Sequence, residues 1–302
     1  MTRKSGLLLA AIGLLLWPAA TSAQDLGPKF KIVSPGIHVY NANPIESNCT
    51  IILTNEGVVL IDSGHFPPDS RAVMEGIKKL TLLPVRMIIN TEPHADHTSG
   101  HYVFSPPAAI VAANGATKAM TGAWNPKRFD KEKAASPEYA KALEGFRLVT
   151  PHVEYHGSAT LNVGERTFEL FHMPEVHSES DSAIWLPKER ILFAAASISV
   201  GRVNNLRPFV SIPKTMEAIA RMKALNPEIV IPGHGTPGTV KHLDDMANYY
   251  TLLVDRVGAL VKQGRTLEQI KAELKMPEIA KWAGQDRFPN NIEAAYRTVK
   301  GG

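Results

Sequence analysis

Directly after the apolar run "VRMIIN", Val85–Asn90, the chain sets Glu92, His94, Asp96, His97 and His101 within the stretch "TEPHADHTSGH". Three imidazoles and two carboxylates cannot share a packed interior without partners, because a buried polar group left unpaired is costly. The run before them reads as a buried strand, so the fold has to end that strand at a cleft where these side chains meet something in common. Alternation along a short extended loop separates the donors into two directions, with Glu92 and His94 available to one metal and Asp96 and His97 to another. Each pair is one donor short, since a catalytic zinc takes three protein ligands and keeps a position for water.

Two later histidines supply the shortfall. His177 in "PEVHSESDS" follows the strand pattern "TFELFHMP", and His234 in "PGHG" follows "EIVI". Gly233 and Gly235, which flank His234, are small enough to let the backbone approach a ligand. Six residues then make two triads.

Around this loop the hydrophobic pattern changes period. From Phe30 to Asn90 it is mostly two, with a hairpin predicted in "TIILTNEGVVLID" around Asn55, Glu56 and Gly57. The stretch "PDSRAVMEGIKKL" has helical spacing through Val73, Met74, Ile77 and Leu80, and "AAIVAANGATKAM" repeats strand and then helix. Thr121 to Phe146, polar, alanine-rich and punctuated by Pro126 and Pro137, reads as a cap of helices and loop on one edge. Strands resume in "ATLNVGERTFELFHMP" and "SAIWLPKERILFAAASIS", and a helix over "TMEAIARMKALN" leads into "EIVIPGHG". The remainder is helical, with Leu243, Met246, Tyr250, Leu253, Val257 and Leu260 on one face, a stop at Gly264 and a capping box at Thr266 and Gln269. Two similar halves predict an α/β fold of two packed sheets with helices outside.

A chain of 302 residues with 44% hydrophobic content can bury a large core, and 21% charged residues argue against disorder. Its first residues read as a cleavable signal peptide: Arg3 and Lys4, the apolar run Gly6–Trp17, then "PAATSA" before a cleavage site after Ala23. That run is too short to span a bilayer comfortably, and no later segment has the length and apolarity to do so. The expectation is a periplasmic or secreted mature chain, residues 24–302, forming one domain. Cys49 is the only cysteine, so an internal disulfide is impossible, and within "NCTIILT" it reads as a small buried hydrophobe. The net charge of +4 comes without a basic run, which gives no surface for nucleic acid.

Taken in order, "GVVLIDSG", "EPHADHTSGH", the separate His177 and "IPGHGTPG" resemble the metallo-β-lactamase superfamily, whose signature is H-x-H-x-D-H followed by two further histidines. The resemblance covers most of the mature chain and implies an αββα four-layer sandwich of two mixed β-sheets with helices on both outer faces. It also implies two zinc ions, the first held by Glu92, His94 and His177 and the second by Asp96, His97 and His234. Iron and manganese also suit imidazole and carboxylate ligands. Two departures stand out: Glu92 replaces the first motif histidine, and Ala196 in "ILFAAASIS" stands where the family's bridging acid is expected. The same absence marks the β-lactamase subclass that has neither that bridge nor the zinc-binding cysteine. That subclass uses a serine nearby, where Ser197 and Ser199 stand here, and some of its members look similar in carrying glutamate first. Asp62 in "LIDSG" resembles the family's acid that supports the metal loop, although turn capping accounts for it equally well.

The implied chemistry is hydrolysis. Water held between two zinc ions loses its proton near pH 7, and the resulting hydroxide attacks a carbonyl. Asp96 is the candidate catalytic group that orients it. Ser197, Ser199 and Arg202 are candidates for binding a substrate carboxylate or other anion. The expected activity is that of an exported binuclear zinc hydrolase with a small-molecule substrate, a β-lactam being one candidate. Lactones, esters, thioesters and sulfate esters are the alternatives within the fold, and a periplasmic metal-binding protein that turns nothing over is the alternative outside it. His172 competes with His177 as a ligand, His65 is expected at the cleft rim, and Trp124 and Tyr139 offer a substrate wall or ordinary packing. The charge of Glu92 predicts a weaker Lewis acid at the first metal.

Overall fold

The computed structural model describes residues 24–41, 43 and 46–301, so the signal segment expected at residues 1–23 lies outside the described residues. Seven strands form the first sheet in chain order: β1 (Phe30–Ser34), β2 (Ile37–Tyr40), β3 (Cys49–Thr54), β4 (Gly57–Ile61), β5 (Val85–Ile89), β6 (Ala109–Ala113) and β7 (Val153–Tyr155). β1 to β4 are an antiparallel meander, and β4 to β7 run parallel. The second sheet holds β8 (Ser158–Val163), β9 (Arg166–Met173), β10 (Asp181–Leu186), β11 (Ile191–Phe193) and β12 (Ile229–Ile231), in the spatial order β12-β11-β10-β9-β8. Only β11 and β12 pair in parallel there.

The tips follow the sequence signals. Asn55 and Glu56 turn the β3–β4 hairpin, Gly57 opens β4 at φ 140°, and the Thr54 hydroxyl closes the turn on the Gly57 carbonyl at 2.7 Å. A parallel neighbour for β4 needs a crossover, which the helix Pro67–Leu80 supplies, with Val73 and Ile77 buried.

Three apolar cores separate four layers. Between the sheets, Ile37, Ile52, Val59 and Ile89 meet Phe168, Leu170, Ile184 and Phe193. Alternate residues of the first sheet, Ile51, Leu60 and Ile88, turn outward onto Val73 and Ile77. On the far side Trp185, Leu192 and Val230 pack against the helices Ile212–Ala224, Lys241–Lys262 and Phe288–Lys300 through Ile219, Leu253 and Ile292. Full burial of one such side chain contributes about 1.5–3 kcal/mol. The layers are those the resemblance implied.

The expected cap consists of the helices Ala116–Ala123, Asp130–Ala135 and Pro137–Ala142 with the loops around them. Phe129 anchors it, its ring centroid 6.3 Å from Phe66, 6.0 Å from Tyr139 and 5.3 Å from Phe146. Tyr139 and Trp124 both pack in this aromatic group, Trp124 at 5.2 Å from Phe146. Near the C-terminus, Thr266 and Gln269 form the capping box and Gly264 takes φ 80°. Among the described residues no helix is long and apolar enough to cross a membrane.

Candidate metal centre

β4 and β5 end side by side, and the turns that follow them carry the centre. β5 delivers Asn90 to Glu92, and a short helix, Ala95–Thr98, lifts Asp96 and His97. Asp62, just past β4 at φ 59°, braces this loop. Its Oδ1 accepts from Asn90 Nδ2 at 2.9 Å and from the Thr91 amide at 2.7 Å, and its Oδ2 accepts from Thr91 Oγ1 at 2.6 Å and faces His97 Nδ1 at 2.8 Å. Asp62 is thus a support for His97, and turn capping alone does not describe it. The Ser47 hydroxyl donates to the Asp96 carbonyl and that of Ser63 to the His97 carbonyl.

The second sheet brings the remaining imidazoles. His177 lies in the β9–β10 turn, where its amide donates to Asp181 Oδ2 at 2.6 Å. His234 follows β12, in a loop that Asn48 pins through the carbonyls of Pro232 and Gly235 at 2.7 and 2.9 Å. The glycine before it serves packing: a Cβ on Gly233 would stand 2.4 Å from the Ala196 amide nitrogen. The expected approach of that backbone to a ligand is instead an approach to the neighbouring loop.

All six expected ligands meet. Donor atoms of Glu92, His94 and His177 lie within 4.8 Å of one another, as do those of Asp96, His97 and His234. Glu92 stands between the groups: Oε2 contacts His94 Nδ1, while Oε1 is 3.0 Å from His97 Nε2 and 3.8 Å from His177 Nε2. Asp96 Oδ2 is 3.3 Å from His234 Nε2 and 3.8 Å from His97 Nε2. His172 reaches the Glu179 carbonyl at 3.2 Å and takes no part in either group.

Electrostatics distinguish the members. Burial works against ionisation of Glu92, yet His94 and His97 hold its carboxyl well below the usual range. Asp96 meets the same burial and is still held at about 2, chiefly by His97. Burial also works against protonation of His97, but Glu92, Asp62 and Asp96 raise it well above an ordinary imidazole. Burial dominates at His177, far below its usual value, and at His234, lowered to about 3, so both rings stay neutral with a lone pair to offer.

These residues fit a pair of cations. Glu92 Oε1 and His97 Nε2 are buried without a hydrogen-bond partner, although buried polar atoms are normally satisfied. The 3.0 Å approach of Glu92 to His97 is close but not aligned as a hydrogen bond. Convergent imidazole and carboxylate donors of this kind suit zinc.

The triads open on a cleft of about 350 Å³. His65 lines its rim as expected, its pKa lowered to about 4 by burial. Arg202 also lines it and reaches His234 Nδ1 at 2.7 Å. Ser197 and Ser199 are not among its lining residues: both are buried, and their hydroxyls donate to the carbonyls of Ala194 at 2.6 Å and Ala196 at 3.2 Å. Arg128, Arg207 and Arg287 line the cleft without having been singled out in the sequence. No local motif marks them, because they come from the cap, the loop after β11 and the turn before Phe288.

The family model for the metallo-β-lactamase superfamily matches residues 42–234. A "Metallo-beta-lactamase type 2" from Bacillus sp. (strain 170) is 25% identical over 203 residues, covering 66% of this chain and 70% of that protein. Among solved structures, the stereoselective inverting sec-alkylsulfatase Pisa1 from Pseudomonas sp. superposes with a TM-score of 0.68 at 18% identity, over 89% of this chain and 50% of that one. The chain thus spans half the alkylsulfatase's length. A metallo-β-lactamase from Pontibacter korlensis gives a TM-score of 0.57 at 20% identity over 72% of this chain and 96% of its own.

Proposed function

The chain belongs to the metallo-β-lactamase superfamily, whose relatives are metal-dependent hydrolases, and on that premise we propose that it is an exported binuclear zinc hydrolase of a small carbonyl compound. One observation carries the reading: two triads, each with two imidazoles and one carboxylate, face a common cleft large enough for a small molecule. Zinc held there supplies Lewis acidity, which lowers the pKa of water to about 7 and polarises the oxygen under attack.

The chain's own groups do the rest. Asp96, ionised at any pH above about 2, accepts a hydrogen bond from the attacking water and turns its lone pair toward the substrate. Glu92 Oε1, facing an imidazole of each triad, serves as the shared acid that Ala196 cannot supply. Asp62 fixes the His97 ring, and the cap's aromatic group holds one wall in place.

Sulfate-ester hydrolysis is the second reading, favoured by the four arginines that line the cleft and by the likeness to an alkylsulfatase. A panel of chromogenic β-lactam, lactone, ester, thioester and sulfate ester, run on zinc-loaded protein with Asp96→Ala as control, tests both. Turnover that disappears in the control supports hydrolysis, and the preferred member names the bond. Two firmly held zinc ions with no turnover anywhere on the panel would make the protein a metal carrier.

A further inference from the structure

The last part of the chain encloses a second cavity of about 320 Å³, which shares no described lining residue with the metal cleft. Every described residue that lines it lies beyond residue 234, where the match to the family model ends. Asn248, Tyr249 and Leu252 reach it from one face of the helix Lys241–Lys262, at the spacing that sets residues three and four apart side by side. Met276, Ile279 and Trp282 close it from the segment that follows the helix Leu267–Glu273. The Trp282 and Tyr249 rings meet in a corner, their centroids 5.5 Å apart and their planes 50° from parallel. Gln285 holds that wall, its Nε2 donating to the carbonyls of Ile279 at 2.6 Å and Trp282 at 3.0 Å. The Tyr249 hydroxyl accepts from the buried Asn291 Nδ2 at 2.8 Å, so what the tyrosine offers the cavity is its ring.

Scattered apolar side chains on a surface are ordinary, and Leu252 at 36% exposure would by itself be one of them. A concave aromatic corner with a few convergent polar groups is instead the composition of a ligand pocket. Among the described residues, the Asn248 side-chain amide has no hydrogen-bond partner, and neither has the Trp282 indole N–H. Two carboxylates stand at the cavity, and both are already matched. Asp245 pairs with Lys241, and Glu278 accepts from both ends of the Arg256 guanidinium at 2.6 and 3.0 Å. The cavity therefore calls for a ligand without charge. An amide presents a donor beside an acceptor, and a second amide edge answers it with two hydrogen bonds. A flat ring gains from offset or edge-on contact with the two aromatic side chains.

We propose that this cavity is a second small-molecule site, which takes a neutral aromatic ring carrying a carboxamide-like edge. The ring lies against Trp282 and Tyr249, and the edge pairs with Asn248. The site also has a route to the metal cleft. Ala283 follows Trp282 directly; its amide donates to the Gly201 carbonyl, and its carbonyl accepts from the Val203 amide, both at 2.9 Å. A ring seated on Trp282 thus stiffens the segment 201–203, whose middle residue lines that cleft. None of this depends on which bond the metal centre cleaves, or on whether it cleaves one.

Benzamide is the probe, titrated into the full chain and followed by calorimetry and by tryptophan fluorescence. The expected result is saturable binding at a single site, weakened about tenfold in Asn248→Ala by the loss of its hydrogen bonds. Leu252→Trp, which fills the cavity from the helix, should abolish binding. Both positions are exposed, and a thermal melt matching that of the wild type shows that these variants fold. Trp282→Phe should keep part of the affinity and lose the fluorescence change, whereas Trp282→Ala should lose both. Benzoate and benzylammonium, which are charged, and cyclohexanecarboxamide, which is not flat, should each bind about threefold or more weakly than benzamide. Hydrogen exchange at the Val203 and Ala283 amides should slow on binding. Equal affinity of benzamide for the wild type and the folded Leu252→Trp chain, or no binding at all, overturns the site. Tighter binding of benzylammonium overturns the neutral class, and unchanged exchange at those two amides overturns the route to the cleft.

Discussion

His97 and His177 are both buried imidazoles that face Glu92, but their surroundings finish them differently. Behind His97 stands Asp62, itself held by Asn90 and twice by Thr91, and the neighbouring His234 has Arg202 at 2.7 Å. Behind His177 the ring nitrogen Nδ1 has no hydrogen-bond partner among the described residues, and only its backbone is fixed, by Asp181. His94 leans on Glu92 and is 25% exposed. A carboxylate behind an imidazole sets its tautomer and its aim. The Asp96 triad is therefore built in advance, whereas the Glu92 triad is organised around one carboxylate that also touches its neighbour.

The largest effect should come from removing that carboxylate. On the proposed binuclear zinc reading, Glu92→Ala is expected to release both ions and to lower kcat/KM by about a thousandfold or more, whereas Asp96→Ala should keep one equivalent. Metal analysis of dialysed protein decides: a Glu92→Ala chain that retains one tightly held ion would break the asymmetry. Glu92→His sharpens it from the other side, because a neutral ligand should move the acid limb of the activity profile. An unchanged profile and zinc affinity would mean that the charge of Glu92 does nothing.

A buried histidine outside the triads gives the comparison a reference. His101, four residues after His97, faces only the Val149 carbonyl, at 2.9 Å, and burial lowers its pKa to about 4. An unfolded imidazole titrates near 6.5, so the unfolded chain takes up the proton first as the pH falls. Stability should be unaffected by this group above about pH 6.5 and should decline toward pH 4, by about 3 kcal/mol in total. Denaturant titrations across that range should show a flatter acid limb for His101→Asn; an identical limb would assign the loss to other groups.

Asp62→Asn should weaken zinc at the Asp96 triad by about tenfold to a hundredfold and leave the other triad nearly untouched. Equal weakening at both, measured by competition with a chromogenic chelator, would show that the brace acts on the whole loop. The smallest effect concerns the loop packed against Gly233. Ala195 sits at φ 52°, where a side chain is strained, and Ala195→Gly should gain about 0.5–1 kcal/mol in a denaturant midpoint experiment. No gain would mean that the strain is offset by contacts the methyl group makes.

The parts of this centre that were legible in the sequence were those set by short range. Glu92 to His97 follow a strand with fixed spacing, and His177 and His234 each follow another strand, so counting from strand ends picks out the six residues that the fold brings into two groups. Asp62 remained open because its choice between capping a turn and bracing His97 depends on the pairing of β4 with β5. Ser197 and Ser199 were misplaced for a related reason: a hydroxyl's position along the chain does not say whether a nearby carbonyl will claim it. The layers of the fold could be inferred from alternating periods, but the convergence of Arg207 and Arg287 could not. Nothing near either residue in the chain refers to the other, and only packing of the second sheet's loops against the final helix brings them together.

The division of the ligands between the two sheets also has a temporal side. Glu92, His94, Asp96 and His97 leave the ribosome early, yet the first donor group waits for His177 in the β9–β10 turn and the second for His234 beyond β12, which pairs with β11. Closure over such long stretches of chain is entropically slow and comes late in folding. A nascent chain that lacks β12 would thus carry an incomplete second donor set, which, on the proposed reading, makes firm uptake of a second ion a report that the last strand has docked.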